Sequence, residues 1–219
     1  MSPSTDCAPF IVIEGLDGAG TTTQCRRLVE RLRRRGRRAL LTREPSDGPV
    51  GAMIRQMLSR RVVAPDGSGG VEPVDDDVLA LLFAADRLDH LSAEVDPAAE
   101  EGTIVVSDRY YHSSFAYQGE ERGGDFDFEW VRRLNERARR PDLTVFLEAS
   151  TDTCLERMSD RATRDIYENR ARLEALEERY RAVIERLDAD GEAIETVDAE
   201  QSIEEVGADI WSAVESRLP

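Results

Sequence analysis

Three short apolar runs interrupt an otherwise polar chain: Phe10–Ile13, Ile104–Val106 and Leu143–Leu147. None alternates with polar positions, so each predicts a strand buried on both faces, as in a parallel sheet. Ala39–Thr42 and Ala193–Val197 are weaker runs of the same kind and bring the set to about five strands. Between the runs, apolar residues recur at helical spacing over Gln24–Arg35, Val50–Arg60, Asp77–Val95, Phe126–Ala138, Thr151–Met158 and Ser202–Leu218. Strand alternating with helix predicts an α/β fold, a parallel sheet flanked by helices, with ligands bound beyond the carboxyl ends of the strands. Ile166, Leu173, Leu176, Tyr180, Val183 and Leu187 form a further stripe, which reads as a helix packed on the core. Residues 61–76, rich in Pro, Gly and Asp, read as a mobile surface loop.

Composition narrows the function classes. A length of 219 residues with 40% hydrophobic content predicts one domain with a full core. The charge of −16 opposes binding to nucleic acid or to an anionic membrane. The longest apolar run, Val78 to Ala85, is far short of the roughly 20 residues that span a bilayer. With no basic, apolar leader at the N-terminus, a cytoplasmic protein is expected. Cys7, Cys25 and Cys154 are an odd number at wide spacing, so neither a metal site nor a disulfide framework is expected. The arginine run from Arg26 to Arg38 reads as the solvated face of a helix. All 29 basic residues are arginine, so any chemistry that needs a cation must use a guanidinium.

That restriction matters directly after the first strand. Gly15-Leu16-Asp17-Gly18-Ala19-Gly20-Thr21-Thr22 has the spacing of the phosphate-binding loop G-x-x-x-x-G-K-[ST], with Thr21 at the lysine position. The glycines let backbone N–H groups surround a polyphosphate, and the following helix adds its dipole. Thr22 offers the hydroxyl that would ligate Mg²⁺. Asp108, ending the strand Ile104–Val106, is placed where a carboxylate contacts that metal or its waters. Phe83 and Arg87 stand four apart on one helix face, suited to stacking a base and forking onto its polar edge.

The segments FIVIEGLDGAGTTTQ, TREPSDGPVGAMIRQML, LLFAADRLDHL, VVSDRYYHSSFAYQG and PDLTVFLEAS resemble the successive motifs of thymidylate kinases. The resemblance runs from Phe10 to about Leu218 and is most specific in DRYYHSSFAYQG. It implies a P-loop NTPase-type nucleoside monophosphate kinase domain spanning 1–219 that transfers the ATP γ-phosphoryl group to dTMP. It assigns Gly15, Leu16, Asp17, Gly18, Ala19, Gly20, Thr21, Thr22 and Thr23 to ATP. Phe83 would stack on thymine, and Arg87, Ser114 and Gln118 would read its polar edge. Tyr117 would crowd the sugar 2′ position. Arg43, Arg55 and Arg109 match the monophosphate-binding arginines, while Glu44 and Asp17 match acidic groups around the sugar and the metal.

Gly18, together with the arginine-rich segment 156–165, is similar to the family layout in which a helical lid, here about 156–168, supplies arginines to the transferring group. Arg157, Arg161 and Arg164 are the candidates, joined by Asp17 and Arg109 as catalytic groups. Val197-Asp198-Ala199 resembles the segment flanking adenine. The resemblance further implies Mg²⁺ and a homodimer, through the helices near Val50–Arg60 and Asp77–Val95. The replacement at Thr21 keeps two other readings open: a nucleotide-binding module that has lost catalysis, and a related nucleotide kinase with another base preference.

Overall fold

Parallel pairing accounts for the unbroken apolar runs. The computed structural model describes residues 7–118, 127–158 and 166–218. Its main sheet contains β1 (Phe10–Gly15), β2 (Ala39–Arg43), β5 (Ile104–Asp108), β6 (Leu143–Glu148) and β7 (Ile194–Asp198). Their spatial order is β2-β5-β1-β6-β7, and every pairing is parallel. Central β1 is buried along its whole length. Each fully buried Ile or Val in it contributes roughly 1.5–3 kcal/mol of transfer free energy. One face packs with Leu28, Leu32, Tyr180 and Trp211, the other with Leu91, Tyr110, Phe115 and Leu187.

Helices fill the crossovers: α1 (Thr21–Arg34), α2 (Pro49–Leu58), α3 (Asp76–His90), α4 (Asp96–Glu100), α5 (Tyr111–Gln118), α6 (Phe128–Leu134), α7 (Thr151–Met158), α8 (Ile166–Ala189) and α9 (Ile203–Glu215). The caps follow the sequence. Asp75 and Ser202 accept first-turn N–H groups of α3 and α9, and Ser202 forms a capping box with Glu205. The stripe on α8 is core: Leu173, Leu176, Tyr180, Val183 and Leu187 are all buried. The arginines of α1 lie on its exposed side, as a solvated face should.

Three expected elements differ in detail. The helix predicted over Asp77–Val95 ends at His90 and continues through a π-turn, Leu91–Val95, before Pro97 enters α4. Segment 61–76 contains a short antiparallel hairpin, β3 (Ala64–Pro65) with β4 (Val71–Glu72). Asp66 closes its turn by accepting from Ser68 N, Ser68 Oγ and Gly70 N at 2.8–2.9 Å. A side-chain-closed turn of this kind has no hydrophobic periodicity, which is why the segment read as a loop. The helix over Phe126–Ala138 is shorter, Phe128–Leu134, because Asp127 caps it and Asn135 ends it.

Sheet register brings the site together. Arg43 pairs with Asp108 across β2 and β5, and Ile13 pairs with Asp108 across β1 and β5. The loops after β1, β2 and β5 therefore emerge side by side at the carboxyl edge, where ligands bind in such sheets.

Candidate active site

A cleft of about 490 Å³ opens at that edge. Residues 16–24 form one wall, Arg43, Glu44, Asp108 and Arg109 another, and Arg157, Ala199 and Ile203 the far side. Gly20 caps α1 in the left-handed conformation (φ 100°) with no side-chain hydrogen bond, so the first N–H groups of α1 have no side-chain cap. Such a helix start favours an anion. Gly18 is also left-handed, and a Cβ there would lie 2.6 Å from the Cys154 carbonyl oxygen. The start of α7 thus presses on the loop backbone, and no side chain fits at position 18. This gives a physical reason for a layout in which arginine arrives from α7 and not from within the loop.

Thr22 Oγ1 donates to Asp108 Oδ2 across the cleft. The second oxygen, Asp108 Oδ1, is buried and has no hydrogen-bond partner among the described residues. A buried carboxylate oxygen left unpaired is costly, so a ligand for it is implied. Together with the Thr22 hydroxyl it makes an all-oxygen donor set that fits Mg²⁺, which takes one or two protein ligands and completes its shell with water and phosphate. No cluster of three or more His, Cys, Asp or Glu able to cage a metal occurs among the described residues.

The Arg43–Glu44–Arg109 side of the cleft is built from charged pairs. Arg109 adopts a left-handed backbone (φ 75°), a conformation that costs roughly 1–3 kcal/mol outside glycine. It is held there because its N–H donates to Ile13 O and its carbonyl accepts from Ser107 Oγ. Its guanidinium donates to Asp17 Oδ1 at 2.6 Å, Tyr180 OH at 2.9 Å and Ser113 Oγ at 3.1 Å. The Tyr117 hydroxyl also reaches Asp17. Burial, opposed by Arg109 and assisted by Asp17, pushes the Tyr117 phenol up to about 12, so it remains a neutral donor. Arg43 and Arg55 both pair with Asp47, at 2.8 and 3.5 Å. Arg55 also donates to the carbonyls of Pro45 and Ser46.

Arg87 is 1% exposed and nearly saturated. Its Nε donates to Glu44 Oε2 at 2.9 Å, and Nη2 forks onto the same oxygen as an ion-pair contact at 2.7 Å; Nη1 donates to Asn135 Oδ1, and Nη2 donates to Ser114 Oγ at 3.1 Å. Of five guanidinium N–H groups, one on Nη1 stays uncommitted. Gln118 Oε1 is buried without a partner among the described residues, the other open position in this pocket. Phe83 is half-buried on α3, one turn before Arg87. Phe83, Arg87, Ser114, Tyr117, Gln118 and Arg55 do not line the cleft itself; they stand behind its Arg43–Glu44–Arg109 wall.

At the opposite end, Arg157 on α7 donates to Ala199 O at 2.8 Å and to the phosphate-loop carbonyl of Ala19 at 3.4 Å. It ties the loop to the segment after β7, so that Val197-Asp198-Ala199 borders the cleft through Ala199. Arg161 and Arg164 lie outside the described residues. Cys25 and Cys154 are buried, and burial raises both thiols, Cys154 to about 11, which leaves them protonated packing groups.

Several site residues escaped the sequence reading. Glu14, fully buried just before the loop, accepts from Tyr110 N, Ser113 N, Ser113 Oγ and Tyr180 OH. A charge inside a buried strand was the available signal. Asn135, Asp47 and Asp86 carried none, because their partners are distant in sequence. Tyr180, read as core, does pack through its ring, but its hydroxyl also supports Arg109.

Residues 13–210 match the family model described as thymidylate kinase. The chain is 38% identical over 213 residues to a protein of Thermococcus onnurineus named probable thymidylate kinase, covering 95% of this chain and 98% of that one. It is 36% identical over 209 residues to a Pyrococcus horikoshii protein of the same name, covering 95% and 97%. A Synechococcus protein named thymidylate kinase is 38% identical over 213 residues, with 96% of each covered. Matches of this length embrace the phosphate loop, the acceptor wall and the final helix together, and the chain belongs to the thymidylate kinase family.

Proposed function

We propose that this enzyme transfers the γ-phosphoryl group of ATP to dTMP, giving dTDP in the supply of dTTP. The observation that carries the reading is the cleft on which an anion-binding helix start, the Thr22–Asp108 oxygen pair, Arg43 and Arg109 open together. ATP lies with its phosphates on residues 15–23 and its base beside Ala199. The dTMP phosphate takes the guanidinium groups of Arg43, Arg55 and Arg109 from their carboxylate partners Asp47 and Asp17. Thymine meets the open N–H of Arg87, the free Gln118 Oε1 and Ser114, against Phe83, while Tyr117 stands at the sugar 2′ position. Thr22 and Asp108 hold Mg²⁺, which supplies charge neutralisation at the donor phosphates.

Thr21 leaves the loop without its usual cation. Arg157, already bound to the loop carbonyl of Ala19, supplies that charge, with Arg161 and Arg164 of the lid. The chain forms one domain, with the lid over about 156–168, and works in the cytoplasm. Exposed Met53 and Leu58 on α2 and Val78, Leu81 and Leu88 on the adjoining α3 support a homodimer through these helices. Among the described residues no helix is long and apolar enough to cross a membrane.

An ADP-release assay with Mg-ATP against dTMP, dUMP, UMP, CMP and AMP tests the reading. The highest kcat/KM goes to dTMP, because a site built around one polar edge rejects bases that leave its donors unpaired. Equal or better use of CMP or AMP overturns the acceptor assignment. ATP binding without turnover of any monophosphate marks the chain as a non-catalytic nucleotide binder.

A further inference from the structure

His90, the last residue of α3, is 3% exposed and has acceptors on both sides of its ring. On one side Nε2 lies 2.7 Å from Thr42 Oγ1 and 3.1 Å from Glu94 Oε2. The single Thr42 hydroxyl proton is committed to Glu94 Oε2 at 2.6 Å, so Thr42 can only accept from the ring, and Nε2 carries a proton. On the other side Nδ1 faces Glu44 Oε1 at 3.4 Å. A neutral ring would turn a lone pair toward that carboxylate, whereas an imidazolium donates to it. Glu44 spends its other oxygen on the Arg87 fork.

We propose that His90 is a positioning residue for acceptor recognition: an imidazolium that clamps Glu44 and so fixes the Arg87 guanidinium that the base meets. The proposal rests on the assignment of Arg87 to the acceptor base. The charges around the ring favour a cation on this reading, four carboxylates standing against one guanidinium. Glu44 and Asp47 come from the loop after β2, Asp86 and Arg87 from α3, and Glu94 from the π-turn; Thr42 of β2 is neutral. Burial alone lowers the pKa of the ring, and the hydrogen bond and charge of Glu44, with the charges of Glu94 and Asp86, outweigh it and raise it above the ordinary histidine value. As pH rises, His90 loses the Nδ1 proton, Glu44 is released on that side, and the Arg87 fork loses its anchor.

With only two histidines in the chain, His90 and His112, imidazole ¹⁵N spectra of the full-length protein resolve the question directly. His90 is expected doubly protonated at pH 7.5, releasing a proton only at higher pH. Over the same range KM for dTMP rises about tenfold, the size of one charge-assisted hydrogen bond, while KM for ATP stays level. The acceptor phosphate, with a second pKa of about 6, is already dianionic there and adds no limb. Glu94→Gln removes a half-exposed charge without touching the Glu44 contact. It should move the His90 midpoint and the dTMP limb to lower pH together.

A neutral His90 at pH 7.5 overturns the proposal. So does a shifted midpoint in Glu94→Gln with the dTMP limb unmoved. Preference for another monophosphate in the acceptor panel removes the dTMP reading but not the spectrum; the KM arm is then read with the preferred acceptor.

Discussion

The two halves of the cleft are built in opposite ways. As proposed, the donor half centres on a contiguous stretch, residues 15–23, which offers backbone N–H groups and left-handed glycines to an anion. Beside it, Asp108 Oδ1 at the end of β5 is open to a ligand. The acceptor half presents Arg43, Glu44 and Arg109 from the ends of β2 and β5, backed outside the cleft by α2, α3 and α5 with Asn135 and Tyr180, and is almost fully paired within itself. One half is poised to gain partners; the other is pre-set, with its cations already aimed and charge-balanced. The physical difference is where the cost falls. Backbone donors need no counter-ion, whereas a buried guanidinium must be neutralised before any substrate arrives.

If the acceptor half is a neutralised ionic network, removing one member should hurt more than any loss on the donor side. Glu44→Gln can keep one oxygen on Arg87 but removes the charge that neutralises the buried guanidinium, and should destabilise the fold by about 3–5 kcal/mol in urea unfolding. A companion effect follows from His90. Because its folded pKa is raised, it contributes stability fully below the unfolded value of about 6.5, lost as pH climbs through the folded one. In Glu44→Gln that pH-dependent part shrinks. A loss under about 1 kcal/mol would mean that the network is solvated and that the contrast between the halves is overstated.

The donor half should respond in rate and not in fold. Arg157→Ala is expected to lower kcat by about 10²–10³-fold, with little change in urea midpoint or in KM for dTMP. Steady-state kinetics beside an unfolding curve reads both. Near-parental turnover would leave the cation for the transferring group unassigned among described residues. The smallest effect is expected from Thr21→Lys, within about fivefold of parental kcat, because the new ammonium enters a cleft already charged by Arg157. A large gain in turnover would show instead that the natural loop is deficient and uncompensated.

Legibility in the sequence tracked this same contrast. The phosphate loop, Thr22 and Asp108 could be named from spacing, because a strand, a glycine turn and a helix start are consecutive in the chain and impose local geometry. Strand identities followed from unbroken apolar runs, and α8 from its stripe. The acceptor residues came from a resemblance to a family, which names the residues but not the protein partners that each already holds. Arg87 was read as bonding the base edge, yet its Nε, Nη1 and Nη2 already donate to Glu44, Asn135 and Ser114. Tyr180 was read as packing alone, and its hydroxyl supports Arg109. His90, three residues from Arg87, gave no signal, because its partners Thr42 and Glu44 lie more than forty positions away.

The sequence by itself determined the parallel α/β order, the anion-binding loop and the requirement that every cation be arginine, since each depends on neighbours in the chain. Tertiary structure alone decided which carboxylate holds which guanidinium. That choice is made by sheet register and crossover packing, which bring Glu44 to Arg87 and Asp17 to Arg109. A buried charge is defined by what surrounds it, and the chain acquires those surroundings only on folding.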